Sequence, residues 1–228
     1  MRKYISLLII YTLIFTFLGS IIYSLLKDSG LDEQTMSVII NLSIYIIILT
    51  TTLILLKGDI VTDFTEFFSQ KRKIDAVLLG YLYLIAGNFI ANILLSIIGV
   101  QDLTSENQGS IESLLKARQY LIIIPVVFIA PFVEELVFRK SIFSVLNKLN
   151  INKYVTLIFS SLVFGLIHVG FNLDNGYTEL LLGIPYIISG LAFGLIYLKN
   201  NENVYVPIIV HFINNFLAII LTMGMMEL

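Results

Sequence analysis

The sequence predicts an all-α fold: a polytopic transmembrane helical bundle of about seven to eight spans with a cytoplasmic N-terminus. Of its 228 residues, 57% are hydrophobic and 13% are charged, whereas a soluble domain carries about 25% charged residues. Several stretches are almost free of charge and approach the roughly 20 apolar residues that a spanning helix needs. The seven stretches are Tyr4–Leu26, Met36–Leu56, Ala76–Gln101, Gln119–Leu149, Tyr154–Leu173, Leu180–Leu198 and Asn203–Met226.

The distribution of basic residues predicts the orientation in the membrane, because cytoplasmic loops are enriched in Lys and Arg. With a cytoplasmic N-terminus, ten of the 14 basic residues face the cytoplasm, three face the other side, and Arg139 lies within the membrane. The first stretch is longer than the core of a signal peptide, which has about 7–15 residues. We therefore expect an uncleaved first helix. The segment Ser110–Arg118 is the candidate for an eighth helix.

The domain organisation is simple. No linker, repeat or change of composition divides the chain, so we expect residues 1–228 to form a single transmembrane domain. The absence of Cys excludes disulfides, thiolate nucleophiles and Cys-based zinc sites, and a net charge of −2 gives no basis for nucleic-acid binding. Nothing in the sequence predicts an oligomeric state. The segment Asp59–Lys73 combines Phe64, Phe67 and Phe68 with basic residues, which predicts either an amphipathic helix at the membrane interface or an ordinary cytoplasmic loop.

Charged residues stand inside the fourth apolar stretch. Each costs about 2.5–3.5 kcal/mol at the centre of a spanning helix, so such residues are paired, face a cavity or serve function. The stretch is uncharged from Gln119 to Val133 and then continues into Glu134, Glu135 and Arg139. Glu135 and Arg139 are four residues apart and can pair on one helix face. Glu134 points about 100° away, which leaves it free for chemistry. The structural alternative is an ion network that ties helices together.

Both histidines of the chain lie in apolar stretches, and His211 shares a helix face with Asn215. A neutral imidazole accepts a proton, ligates a metal or donates a hydrogen bond. At 1.5 Å per residue, Glu134 and His168 lie about 20 Å from the turn between their helices. His211 lies only about 12 Å from Asn203 by the same rise. It reaches the depth of the other two only if the last helix tilts or begins deeper.

Other polar and small residues are expected to have structural roles. Pro131 should kink its helix and free a carbonyl group near Val127. Asn214 is expected to point away from the site. Hydrogen bonding or close packing between helices is expected of Asn88, Asn92, Gly190 and Gly194.

Three motifs on successive apolar stretches resemble those of the CPBP family, also called the CAAX-protease or Abi family, which is related to the Rce1-type endopeptidases. They read Glu134-Glu135-Leu-Val-Phe-Arg139, Phe164-Gly-Leu-Ile-His168 and His211-Phe-Ile-Asn-Asn215. The resemblance covers residues 119–221, the expected catalytic core. It implies an intramembrane endopeptidase of the bacterial cell membrane. Its substrate would be a peptide or membrane protein, such as a CAAX-type tail or a small membrane peptide, cleaved near the cytoplasmic half of the bilayer.

The resemblance also implies roles for individual residues. Glu134 would activate the attacking water with help from His168, and His211 and Asn215 would stabilise the oxyanion. A second interpretation within the family makes Glu134, His168 and His211 ligands of zinc or another divalent metal, with a position left open for water. The metal-free glutamate mechanism is slightly preferred.

The Glu135–Arg139 pair would support this site. Two functions other than a peptidase stay open: a non-catalytic membrane regulator or immunity scaffold on the same fold, and a proton-coupled transporter. Every motif residue of the resemblance is present, which disfavours the scaffold. The internal repeats that are typical of secondary transporters are not found in the sequence.

Overall fold

The computed structural model describes residues 1–100, 103–116, 120–169 and 177–226. Within these ranges the chain forms eight helices and no strand. The helices are α1 (Arg2–Leu26), α2 (Glu33–Ser69), α3 (Lys73–Ile98), α4 (Glu106–Lys116), α5 (Tyr120–Lys148), α6 (Lys153–Ile167), α7 (Thr178–Lys199) and α8 (Tyr205–Met226).

The helices confirm the predicted polytopic bundle. Six of those described are long and apolar enough to cross a membrane, and α6 is a shorter apolar helix. Its 15 residues span about 22 Å at 1.5 Å per residue, less than a hydrocarbon core of about 30 Å. The helix therefore ends at the depth of the membrane interior, where His168 caps it. The predicted ends of three stretches, at Gln101, Gln119 and Leu173, lie outside the described residues.

The segment between the second and third stretches is helical, so its interpretation as a loop is wrong. α2 continues to Ser69, and only Leu56 departs from helical geometry, with φ −110° and ψ 15°. Phe67 is buried and stacks on Tyr205 of α8. The extension of α2 thus packs against the bundle.

One end of the bundle, here called the basic end, contains the start of α1, the end of α2 and the turns α5–α6 and α7–α8. Ion pairs tie it together: Lys3 Nζ lies 2.6 Å from Asp59 Oδ2, and Lys140 Nζ lies 2.8 Å from Asp63 Oδ2. The Asn203 side chain donates to the backbone carbonyl of Asp63 at 2.7 Å. Asp63 therefore joins α2, α5 and the α7–α8 turn.

The contact between α6 and α7 depends on small residues, as predicted for Gly190 and Gly194. A Cβ atom added at Gly190 would lie 3.0 Å from the Cα of Ser161, closer than side chains normally approach a backbone. Small residues therefore let α7 pack closely against α6. The Asn88 prediction is likewise confirmed, because Ser189 of α7 donates to Asn88 Oδ1 of α3 at 3.2 Å.

Candidate active site

The backbone of α5 is irregular around the charged motif. Two π-helical segments, Pro125–Ile129 and Glu135–Ser141, flank a short α-helical segment. The Ala130 N–H donates to the carbonyl of Pro125, five residues back. With the same five-residue spacing, the residue that would donate to the next carbonyl, that of Val126, is Pro131, which has no N–H. The carbonyl left free is therefore that of Val126, which agrees with the predicted free carbonyl near Val127; α-helical spacing would have given Val127 itself.

The free carbonyl accepts a hydrogen bond from Asn215 of α8. The Asn215 side-chain nitrogen donates to the Val126 oxygen at 3.0 Å, so α8 and α5 are joined at the break in the helix. An amide nitrogen carries two hydrogens, and one remains for another acceptor. Asn214 was expected to point away, but it lines the same cavity as Asn215 and donates to Asn215 Oδ1 at 3.3 Å.

Glu135 and Arg139 form the interior side of the site. Both residues are 0% exposed, and Arg139 Nε lies 3.2 Å from Glu135 Oε2. The other carboxylate oxygen, Oε1, lies 3.0 Å from His211 Nδ1. Glu135 therefore bridges the guanidinium of its own helix and the imidazole of α8.

Arg139 is held on several sides. Its Nη2 donates to the Gly190 carbonyl of α7 at 3.0 Å. Its guanidinium carbon lies 4.6 Å from the centre of the Phe164 ring and 5.3 Å from that of Phe193. A cation between aromatic faces gains electrostatic attraction while it is shielded from lipid. Arg139 thereby connects α5, α6 and α7.

Glu134 faces the opposite way, toward the two histidines. Its Oε2 lies 3.8 Å from His168 Nε2 and 3.9 Å from His211 Nε2. The three groups therefore meet although they come from three helices. His211 reaches this depth because α8 begins level with the middle of α5: Asn203, just before α8, donates to the Asp63 carbonyl, and the Asp63 carboxylate pairs with Lys140 of α5. This is the second of the two arrangements that the sequence allowed.

The hydrogen bonds of the histidines orient both rings in the same way. His168 Nδ1 lies 2.7 Å from the Phe164 carbonyl oxygen. That oxygen only accepts, so Nδ1 carries the proton. An ionised Glu135 likewise requires the proton of His211 on Nδ1. In the neutral rings, both Nε2 lone pairs are then directed toward Glu134.

The carboxylate opens into a cavity of about 290 Å³. Sequence reasoning missed several of its lining residues, among them Tyr45 of α2, Asn107 and Gln108 of α4, and Tyr186 of α7. The Tyr186 ring stacks on His168 with 4.7 Å between ring centres, and its hydroxyl lies 2.9 Å from Ser105 Oγ. These residues belong to no local motif. The only sequence signal was the short segment that was the candidate for an eighth helix.

The candidate metal ligands are Glu134, His168 and His211. Two imidazole nitrogens and a carboxylate are chemically suited to zinc, and ligands about 2.0–2.1 Å from a tetrahedral ion lie roughly 3.4 Å apart. The Glu134–His168 and Glu134–His211 separations are wider. Across the described part of the chain, no three His, Asp or Glu side chains are arranged to hold a metal. The side chains as placed do not fit the ion, and the metal hypothesis stays a prediction.

Comparison with known proteins matches residues 116–217 to the family described as type II CAAX prenyl endopeptidase Rce1-like. This part of the chain is similar to an Rce1-like domain. It contains the site residues of α5, α6 and α8. The resemblance drawn from the three motifs is therefore confirmed at the level of the family.

Relatives of the Rce1-like domain occur in bacteria. The putative membrane peptidase YdiL of Bacillus subtilis is 30% identical over 154 residues, which are 64% of this chain and 58% of that protein. An uncharacterized protein of Mycoplasma capricolum is 28% identical over 68% of this chain and 46% of its own length. The aligned part thus spans about half the length of these relatives.

A third relative extends further. The membrane-embedded CAAX protease MroQ of Staphylococcus aureus is 28% identical over 202 residues, covering 84% of this chain and 76% of that protein. No solved structure gives a significant match. The family, the bacterial relatives and the apolar helices identify a multi-pass bacterial membrane protein.

Proposed function

We propose that this chain is an intramembrane endopeptidase that hydrolyses a peptide bond in a membrane-associated peptide. The observation that carries the proposal is the meeting of Glu134 with two imidazole Nε2 atoms at the inner end of a cavity. A helix-buried carboxylate that, among the described residues, faces histidines and no Lys or Arg costs free energy in a membrane. Such a cost is retained where the group performs chemistry.

In the proposed reaction Glu134 is the general base. Its distances to the two Nε2 atoms exceed those of direct hydrogen bonds, and a water molecule fits between groups at such separations. The carboxylate takes a proton from this water as the oxygen attacks the scissile carbonyl carbon. His168 accepts the other hydrogen of the water through its Nε2 lone pair. The proton on Glu134 then passes to the leaving amine.

The oxyanion requires hydrogen-bond donors. Asn215 offers the amide hydrogen that Val126 does not use. His211 donates from Nε2 only when both ring nitrogens carry protons, so we propose that it acts as an imidazolium paired with Glu135. In this arrangement Glu135 and Arg139 do not contact the substrate. They are positioning residues, since they hold the His211 ring and balance its charge.

The experiment compares membrane fractions from cells that express the wild type or Glu134→Gln. The substitution keeps the shape of the side chain and removes the base. A peptide that accumulates uncleaved only with Glu134→Gln identifies the substrate. The matched control is Glu66→Gln, which makes the same chemical change at an exposed position of α2.

The purified protein completes the test. Cleavage of the accumulated peptide by the wild type and by Glu66→Gln, but not by Glu134→Gln, is the expected result. Full cleavage by Glu134→Gln would overturn the proposal. Retention of the cellular phenotype by Glu134→Gln, without any accumulated peptide, would instead favour a non-catalytic regulator or immunity scaffold.

A further inference from the structure

The cavity leads from Glu134 toward one end of the bundle. Along α8 its lining runs from His211 to Thr222, about 16 Å at the rise of a helix. A second cavity of about 360 Å³ adjoins it between α2 and α4. The two share Tyr45, Asn107 and His168 among their lining residues. Together they connect the carboxylate with the end of the bundle that is opposite the basic end.

The basic end offers no comparable route. Within the described residues, neither cavity is lined by any part of segments 57–73, 148–153 or 199–205. Asp63 closes that end by accepting from Lys140 Nζ with both carboxylate oxygens at 2.8 Å. The backbone N–H of Val204 also donates to Asp63, at 3.3 Å. Both described cavities therefore reach Glu134 from the same side of the bundle.

The charge distribution indicates which side this is. Ten of the 14 basic residues belong to the closed end: Arg2, Lys3, Lys57, Lys71, Arg72, Lys73, Lys140, Lys148, Lys153 and Lys199. The described segments at the open end contribute Lys27 and Lys116. Basic residues remain on the cytoplasmic side of a membrane. The closed end is thus assigned to the cytoplasm and the open end to the outside.

We propose that the site takes its substrate from the extracytoplasmic side, beneath α4. That the cavity binds a substrate rests on the proposed peptidase function, whereas the direction of access to the cavity does not. The sequence had led us to expect cleavage near the cytoplasmic half of the bilayer, and the geometry points to the other half.

The lining of the cavity indicates the substrate class. Beside Glu134, its described polar groups include the neutral amides of Asn107, Gln108 and Asn214. Amide side chains donate and accept as peptide groups do, so they match the main chain of an extended segment. Such a segment belongs to a membrane-attached peptide or protein that is exposed at the outer surface.

Cysteine labelling tests the direction without any activity assay, because the chain has no Cys and each introduced thiol is unique. Ser69→Cys reports the closed end and Ser29→Cys the open end; both serines are exposed. Gln108→Cys and Ala218→Cys report the roof and wall of the cavity. Intact cells are treated with a membrane-impermeant maleimide, and a second sample is treated after permeabilisation.

We expect labelling of the thiols at positions 29, 108 and 218 in intact cells, and labelling at position 69 only after permeabilisation. The reverse pattern would overturn the proposal. Labelling at 29 with none at 108 and 218 before permeabilisation would overturn it as well, since the orientation would be right but the route wrong. The same pattern in a Glu134→Gln background is expected, because access does not depend on catalysis. Loss of the peptidase function would therefore leave this test unaffected.

Discussion

Two adjacent glutamates lie on different sides of α5 and have different surroundings. On the interior side, Glu135 is 0% exposed and lies between the charge of Arg139 and the imidazole of His211. On the cavity side, Glu134 is 7% exposed, and its Oε2 lies 3.8 and 3.9 Å from the two histidine Nε2 atoms. The Glu135 carboxylate lies between partners on α5 and α8, whereas the Glu134 carboxylate faces the cavity. The difference shows how a membrane protein separates the support of a site from its chemistry within one helical turn.

The largest effect is expected on the cavity side. Glu134→Gln should lower the rate of peptide cleavage by about 10²–10⁴-fold, the usual contribution of a general base. It should leave thermal stability in detergent unchanged or slightly raised, because a costly buried charge is removed. Cleavage assays and thermal unfolding of the same preparation measure both. A large loss of stability would show that the two glutamates share a structural role.

The interior side should respond in the opposite way. Glu135→Gln leaves the Arg139 guanidinium buried without a counter-charge, which costs about 3–5 kcal/mol. Thermal unfolding should reveal a strongly destabilised protein. The double variant Glu135→Leu, Arg139→Leu should recover much of the stability but not the activity, because His211 loses its partner. Recovery of activity would contradict the positioning role.

Asn215 has both a proposed catalytic role and a structural role. Asn215→Ala removes a donor for the oxyanion, and we expect a loss of about 10²–10³-fold in kcat. It also leaves the Val126 carbonyl unpaired, at a cost of about 1–3 kcal/mol. Asn214→Ala is the comparison variant: among the described residues its side chain donates to Asn215 Oδ1 and lines the cavity, so we expect it to affect KM more than kcat. Equal effects of the two variants on kcat would remove the oxyanion role from Asn215.

A smaller effect on the cleavage rate is expected at Tyr186, on the cavity side. Tyr186→Phe keeps the ring that stacks on His168 and deletes the hydroxyl bonded to Ser105. One hydrogen bond contributes about 0.5–1.5 kcal/mol, so we expect at most about a tenfold change in cleavage. Tyr186→Ala should cost more, because His168 loses its stacked neighbour. Equal rates for both variants would show that the ring does not position the histidine.

Removal of metal should have the smallest effect. On the proposed glutamate mechanism, purified protein that has been treated exhaustively with a chelator keeps its cleavage rate. Metal analysis of the same sample provides the control for removal. A loss of activity that is restored by zinc would make Glu134, His168 and His211 ligands and would replace the proposed base.

Much of the site was predictable because helix periodicity is local. Glu135 and Arg139 are four residues apart, and the structure places them in an ion pair. His168 and Glu134 were expected at one depth, and their side chains are near neighbours. The free carbonyl was predicted near Val127, and the structure assigns it to Val126; the exact residue depends on the π-helical register of α5, which local spacing does not give. The predicted orientation of Asn214 was wrong, because the rotation of α8 about its axis depends on the helices that pack against it.

The sequence by itself determined that this chain lies in the membrane, which end is basic, and which polar residues are buried at a cost that calls for explanation. Apolar content, charge asymmetry and helical spacing are properties of single segments, so they can be read without a fold. Only the tertiary structure decided that α8 begins deep enough for His211 to meet Glu134, and that α4 roofs the cavity. Both depend on contacts between segments far apart in the chain, such as the bond from Asn203 to Asp63 and that of Ser105 with Tyr186.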